Sequence, residues 1–137
     1  MEEINVIHRD QDAFAIFVRD YVIQVDQPMP AAAGETGPTP VELFVAALAA
    51  CVAHYACRHL RKEGLPYIGL EVGARHVLTG IPPQRISRLT LTVRPPSALR
   101  EDEADGMIAA IEDCTITRSL LEPPDLEVRL ADETAAA

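Results

Sequence analysis

Three short runs rich in β-branched and aromatic residues open the chain: Ile4 to His8, Ala13 to Val18 and Tyr21 to Val25, separated by charged breaks. Runs of this length and spacing predict an N-terminal β-meander. The stretch "QPMPAAAGETGPTP" follows, with four prolines, two glycines and no apolar periodicity. It predicts a loop of uncommon length for so small a domain, of the kind that tends to be functional or mobile.

A strong helix start ends that loop. Thr39 can serve as N-cap, Pro40 suits the first helical position, and Glu42 stands where a capping-box carboxylate reaches back. The pattern predicts a helix from Pro40 to Glu63, stopped at Gly64, with Arg58, Arg61 and Lys62 near the end where the macrodipole favours cations. Its first half is apolar on nearly every face and therefore predicts a buried central helix. Ala46, Ala47, Ala49, Ala50 and Ala53 leave it smooth enough for another helix to approach closely.

"YIGLEVGARHVL" and "RISRLTLTVRPP" read as strands, the second with Leu89, Leu91 and Val93 alternating with Arg88, Thr90, Thr92 and Arg94. Ser97 then opens a predicted second helix, with acidic residues in its first turns and Met107, Ile108 and Ile111 as the apolar stripe. "LEVRL" reads as a last strand, and the alanine tail as a frayed end. The predicted order is three strands, a long helix, two strands, a helix and a strand, an α+β arrangement in a single domain spanning residues 1–137.

Composition narrows the function classes. Of 137 residues, 48% are hydrophobic and 24% charged, which is ordinary for a globular chain. Acidic residues number 21 against 12 basic ones, a balance that argues against nucleic acid or an anionic membrane surface as the main partner. The N-terminus lacks the basic and apolar regions of a secretory signal, which predicts a cytoplasmic protein. The longest apolar run, Leu43 to Ala53, is about half of the roughly 20 residues a membrane span requires, so no transmembrane segment is expected. Three cysteines exclude a complete disulfide framework and predict free thiols in a reducing compartment.

The cysteines carry the candidate chemistry. Cys51 lies in the middle of the long helix, with His54, Tyr55 and Arg58 following on roughly the same face; a neighbouring cation would lower the thiol pKa. A buried, inert cysteine beside an ordinary surface histidine is the plainer alternative. Cys57 falls on another face, since six residues turn an ideal helix by about 240°. The spacing C-x-x-H-x-x-C therefore cannot converge on one metal ion, and a metal site would need Cys114 as a further ligand. No metal and no cofactor is predicted. Cys114 sits at the junction after the second helix, where a mobile, solvent-touched thiol and a buried structural cysteine are both open readings.

Two motifs taken together resemble the osmotically inducible protein C and organic hydroperoxide resistance (OsmC/Ohr) superfamily. "GPTPVELFVAALAACVAHYA" is similar to the family's first motif, in which a Pro and a Glu open a central helix and a reactive cysteine follows nine residues after the Glu: here Pro40, Glu42 and Cys51. "CTITRSLLEPPDLEVRL", beginning at Cys114, resembles its second motif, and "VDQP" resembles a short branch of the family. The resemblance implies an OsmC-like fold, an intertwined homodimer, and a thiol peroxidase. In it Cys51 would attack an organic hydroperoxide or hydrogen peroxide, and Cys114 would resolve the sulfenic acid as a disulfide that a dithiol reductant reopens. Cys57 has no place in that pattern.

Nine residues along a helix are roughly 13 to 14 Å and about half a turn out of phase, so Glu42 cannot touch Cys51 of its own chain. If it acts at the site, holding an arginine near the thiolate as the family's glutamate does, it comes from a second subunit. The resemblance also implies an arginine from the N-terminal β-region. Arg19, between the second and third strands, is the candidate, with Arg9 the second choice; the glycine-containing sequence usual around it is missing here. The competing expectation is a non-catalytic protein of the same fold that binds a small apolar or lipid-like ligand at the dimer interface.

Overall fold

A computed structural model of the chain describes residues 2–28 and 34–132. The predicted alanine tail and the middle of the proline-rich loop lie outside the described residues. Strands β1 (Asn5–Asp10), β2 (Ala13–Val18) and β3 (Tyr21–Val25) form the expected antiparallel meander in the order β1-β2-β3. Helix α1 (Pro40–Lys62) follows, then the antiparallel hairpin of β4 (Glu71–Leu78) and β5 (Ile86–Arg94), and helices α2 (Glu101–Glu112) and α3 (Thr115–Leu121).

Both ends of α1 are set by local chemistry. The Glu42 amide donates to Thr39 Oγ1 at 3.1 Å and the Thr39 amide to Glu42 Oε1 at 2.9 Å, a complete capping box. At the other end the Leu65 amide donates to the Leu60 carbonyl and the Gly64 amide to that of Arg61, a Schellman motif with Gly64 at φ +69°. Leu65 packs onto the Leu60 cluster, completing it.

The buried stripe of α1 is Val45, Leu48, Val52, Ala56 and Leu60, at helical spacing. Two clusters form on it. Leu48 and Val52 meet Cys114, walled by Val72, Leu89, Leu91 and Val93 of the hairpin; Ala56 and Leu60 meet Met107 of α2. The register Val72↔Val93, Ala74↔Leu91 and His76↔Leu89 puts alternate residues of both strands toward α1. The helix is less enclosed than its sequence predicts, because Ala46, Ala47 and Ala50 face outward and Phe44 is exposed. On length and composition alone α1, with mean hydropathy 1.6 over its apolar window, could cross a membrane, but its inner stripe carries the core of the fold.

Asp26 closes the long loop, a role not anticipated from sequence. Its carboxylate accepts from the Gln27 amide at 2.8 Å, the Thr36 amide at 3.1 Å and the Thr36 hydroxyl at 2.9 Å, while its own amide donates to the Pro38 carbonyl at 3.0 Å. The amides of Gln27 and Thr36, with the Thr36 hydroxyl, hold this carboxyl below the usual aspartate range. Gly37 lies so close to the Gln24 carbonyl that any side chain there would collide with backbone.

Four expectations are corrected. The second helix begins at Glu101, not near Ser97; Arg100 is its N-cap residue, and the Glu103 carboxylate accepts from the Arg100 amide at 2.9 Å. Met107 is buried and Ile111 half-buried, but Ile108 is 52% exposed, so the stripe is narrower than predicted. Residues 126–130 form no strand: Leu126, Val128 and Leu130 are 88%, 85% and 96% exposed, an alternating apolar run with no strand beside it among the described residues. A short third helix, α3, occupies the stretch after Cys114, where the predicted order had no helix.

Candidate functional site

Cys51 and Cys114 are 63 positions apart, yet their sulfurs lie 2.7 Å from one another. The fold makes this contact by crossing α1 with the α2–α3 corner. The Cys114 amide bonds back to the Ile111 carbonyl at 2.9 Å as α2 ends, and the Cys114 carbonyl accepts from the Arg118 amide at 2.9 Å as α3 begins. Cys114 is thus the N-cap residue of α3, pinned from both sides. It is fully buried, which overturns the reading of a solvent-touched thiol. Cys51 keeps partial exposure.

The two sulfurs share protons unequally. Burial is the largest influence on each and raises both. At Cys51 burial prevails, reinforced by the contact with Cys114, and its pKa is pushed up despite the Ile116 and Thr115 amides. At Cys114 burial is outweighed by the hydrogen bond shared with Cys51 and by the amides of Thr117 and Ile116 together with the Thr117 hydroxyl, so its pKa is lowered. The two thiols therefore titrate as an interacting pair rather than separately. No cation is among the leading influences on Cys51. A neighbouring cation to lower the Cys51 pKa was the sequence expectation, and within one chain the described residues do not supply it.

Around the pair, Tyr55 packs on the Cys114 cluster, and its hydroxyl lies 3.2 Å from Thr115 Oγ1. The Arg58 guanidinium sits 5.9 Å from the Tyr55 ring centroid. His54 is exposed and meets Tyr55 edge-on at 6.1 Å between ring centroids. Cys57 is half-buried elsewhere on α1. Among the described residues no group of three His, Cys, Asp or Glu side chains could hold a metal ion.

The two remaining predicted residues lie away from the sulfurs. Glu42 is spent locally in the capping box, where the Thr39 amide and hydroxyl hold its pKa down. It also lines a shallow groove with Val45, Ala46, Ala49, Val72 and His76. Arg19 occupies the β2–β3 turn in the left-handed backbone region, φ +52°, with its guanidinium 5.1 Å from the Tyr21 ring centroid. Arg9, the second choice, lies in β1 and is exposed. Tyr55 was legible as a neighbour of Cys51 from its place on roughly the same helix face, whereas the loop-closing role of Asp26 was not read from the sequence.

Comparison with known proteins supports this architecture. A family model described as OsmC-like protein matches residues 33–129, more than half of the chain. Among curated proteins no significant match is found. Solved structures similar to this chain include the organic hydroperoxide resistance protein OhrB of Bacillus subtilis, at 28% identity and TM-score 0.64, covering 86% of this chain and 90% of that one. A putative osmotic stress induced and detoxification response protein from Psychrobacter arcticus is similar at 16% identity and TM-score 0.76, over 87% and 88% of the two chains. An OsmC-like protein from Mycoplasma pneumoniae is similar at 15% identity and TM-score 0.72, over 88% and 87%. The last two speak for the fold alone. From the two cysteine motifs, the α+β element order and the match across residues 33–129, the chain belongs to the OsmC-like protein family.

Proposed function

We propose that this protein is a thiol-dependent peroxidase acting on organic hydroperoxides, with Cys51 peroxidatic and Cys114 resolving. The observation that carries this reading is the 2.7 Å approach of two sulfurs from distant parts of the chain, one partly exposed and one buried. Cys51 as thiolate attacks one peroxide oxygen; the O–O bond breaks, the alcohol leaves with a proton, and Cys51 becomes a sulfenic acid. Cys114, whose sulfur lies 2.7 Å away, attacks that sulfur as it gives up its proton, forming the disulfide and releasing the oxygen as water. A dithiol then restores both thiols. The hydroperoxide resistance named for the Bacillus subtilis structure supports the substrate class. Working thiols of this kind fit a reducing compartment, and we place the protein in the cytoplasm.

The missing cation points to a homodimer. Arg19, at the β2–β3 turn, and Glu42, roughly 13 to 14 Å along α1 from Cys51 and half a turn out of phase with it, would reach the sulfur of a partner chain rather than their own. The open apolar surface agrees: Val6, Ile7, Tyr21 and Val22 on the meander, Ala46, Ala47 and Ala50 on α1, and Leu126, Val128 and Leu130 are exposed in one chain. Sedimentation at micromolar concentration is expected to give about twice the chain mass; a stable monomer would remove the role assigned to Arg19 and Glu42.

A second reading rests on the groove of about 440 Å³ lined by Pro40, Val41, Phe44, Ile86, Leu89 and Leu120, which is almost wholly apolar. It suits a small apolar or lipid-like ligand held without chemistry. One experiment separates the two. After one equivalent of cumene hydroperoxide, peptide mapping by mass is expected to find a Cys51–Cys114 disulfide within seconds. Thiols that stay reduced would favour the ligand-binding reading.

A further inference from the structure

Helix α3 contains no buried residue, although the buried Cys114 is its N-cap. Ile116 packs on the Cys114 cluster from one side, and the hydrogen bonds of Arg118, Ser119 and Glu122 stay within the helix and its caps. Besides the sulfur contact, one hydrogen bond between side chains crosses from α1 to α3 among the described residues: the Tyr55 hydroxyl lies 3.2 Å from Thr115 Oγ1. Tyr55 stands one turn after Cys51 and Thr115 directly follows Cys114, so the two contacts are neighbouring rungs between the same two elements. The Tyr55 ring is held on several sides: it packs on the Cys114 cluster, meets His54 edge-on, and has the Arg58 guanidinium 5.9 Å from its centroid. A ring held in this way presents its hydroxyl at one place and has little rotamer freedom left to lose on bonding. Core packing accounts for the ring. It does not account for a hydroxyl that meets the residue next to Cys114, since phenylalanine would pack as well.

We propose that Tyr55 is a positioning residue for the resolving step: its hydroxyl, bonded to Thr115, holds the first turn of α3 so that Cys114 stays aligned on Cys51. The inference rests on the disulfide cycle proposed above. In the resolving step Cys114 gives up its proton, its sulfur bonds to the Cys51 sulfur, the S–O bond of the sulfenic acid breaks, and hydroxide leaves with that proton as water. Such a displacement is fast when the reacting atoms are held close and in line. The same turn of α3 aims the amides of Thr115 and Ile116 at the Cys51 sulfur and those of Ile116 and Thr117 at the Cys114 sulfur, so a shift of that turn is felt at both. With the Tyr55 hydroxyl removed, the turn is freer to move and closure slows.

The test measures closure without peroxide, in a Cys57→Ser background treated with one equivalent of dithiodipyridine. Cys51, the more exposed sulfur of the pair, is taken first, forming a mixed disulfide and releasing one thiopyridone; Cys114 then displaces the second thiopyridone and closes the protein disulfide. The first phase reports access and the second alignment. In Tyr55→Phe and in Thr115→Val the second phase is expected to slow about three- to tenfold, the scale of one hydrogen bond, with the first phase within about twofold of the parent. The double variant should be no slower than either single one, because both remove the same bond. Thr115→Ser, which restores a hydroxyl, should close at the parent's rate. So should Ser119→Ala, which removes the bond from the Ser119 hydroxyl to the Thr115 carbonyl, inside α3. An unchanged second phase in Tyr55→Phe, effects that multiply in the double variant, or both phases slowing together would overturn the proposal. A parent that closes with dithiodipyridine yet leaves cumene hydroperoxide untouched would overturn the peroxidase reading, while the second phase still decides whether Tyr55 positions Cys114; a parent with no second phase would overturn both.

Discussion

Cys51→Ser is expected to abolish hydroperoxide consumption, lowering the rate by more than about a thousandfold, the order of loss seen when a covalent nucleophile is removed. A serine hydroxyl cannot take the peroxide oxygen and hold it as a sulfenic acid does. Cys57→Ser should leave the rate nearly unchanged, because Cys57 is not part of the contact that joins Cys51 to Cys114. Cys114→Ser should keep the first turnover and lose the disulfide, leaving Cys51 open to a sulfenic-acid trap such as dimedone. The measurement is peroxide loss by a ferrous-dye assay alongside mass analysis of the protein. Equal loss from Cys51→Ser and Cys57→Ser would defeat the assignment, since it would show that the sulfurs act through something other than the observed pair.

The largest effect on stability is expected from Leu60→Ala. Leu60 has no solvent exposure and lies in the cluster of Ala56 and Met107, with Leu65, Leu70, Val93, Leu99 and Ile111 around it. Four elements or connections converge there, so the site cannot collapse around a smaller side chain. Truncation should cost about 2–5 kcal/mol, the lost transfer free energy plus the cavity left behind. For a domain of this size that corresponds to a fall in Tm of roughly 6–20 °C, measured at fixed protein concentration because self-association would also move Tm. Ile108→Ala, on the same helix as Met107 but half-exposed, should cost under about 1 kcal/mol. A loss from Ile108 as large as from Leu60 would mean that a partner chain buries it.

The site and the core draw differently on the sequence. The span of α1 was legible residue by residue, since its cap, its first-turn proline and its terminal glycine act within four or five positions of one another. The strands were equally legible, because alternation reports a strand with one face against a core. The last strand failed for the same reason that it was predicted: Leu126, Val128 and Leu130 have the alternation, but a strand also needs a neighbour, and no pattern within the segment supplies one. Ser97 misled as a helix start because the competing Arg100–Glu103 arrangement lies three residues further on and satisfies the amides there.

What the sequence determined by itself was the N-terminal meander, the capped central helix, the hairpin after it and, through two motifs, which cysteines belong together. These depend on hydrogen bonds and periodicities that close over short stretches of chain. Only the tertiary structure decided that Cys114 is buried, that its sulfur lies against that of Cys51, and that Asp26 closes the loop. Burial and acidity are set by whatever arrives through space, here the α2–α3 corner crossing α1, and a contact between positions 63 residues apart leaves no periodic trace between them.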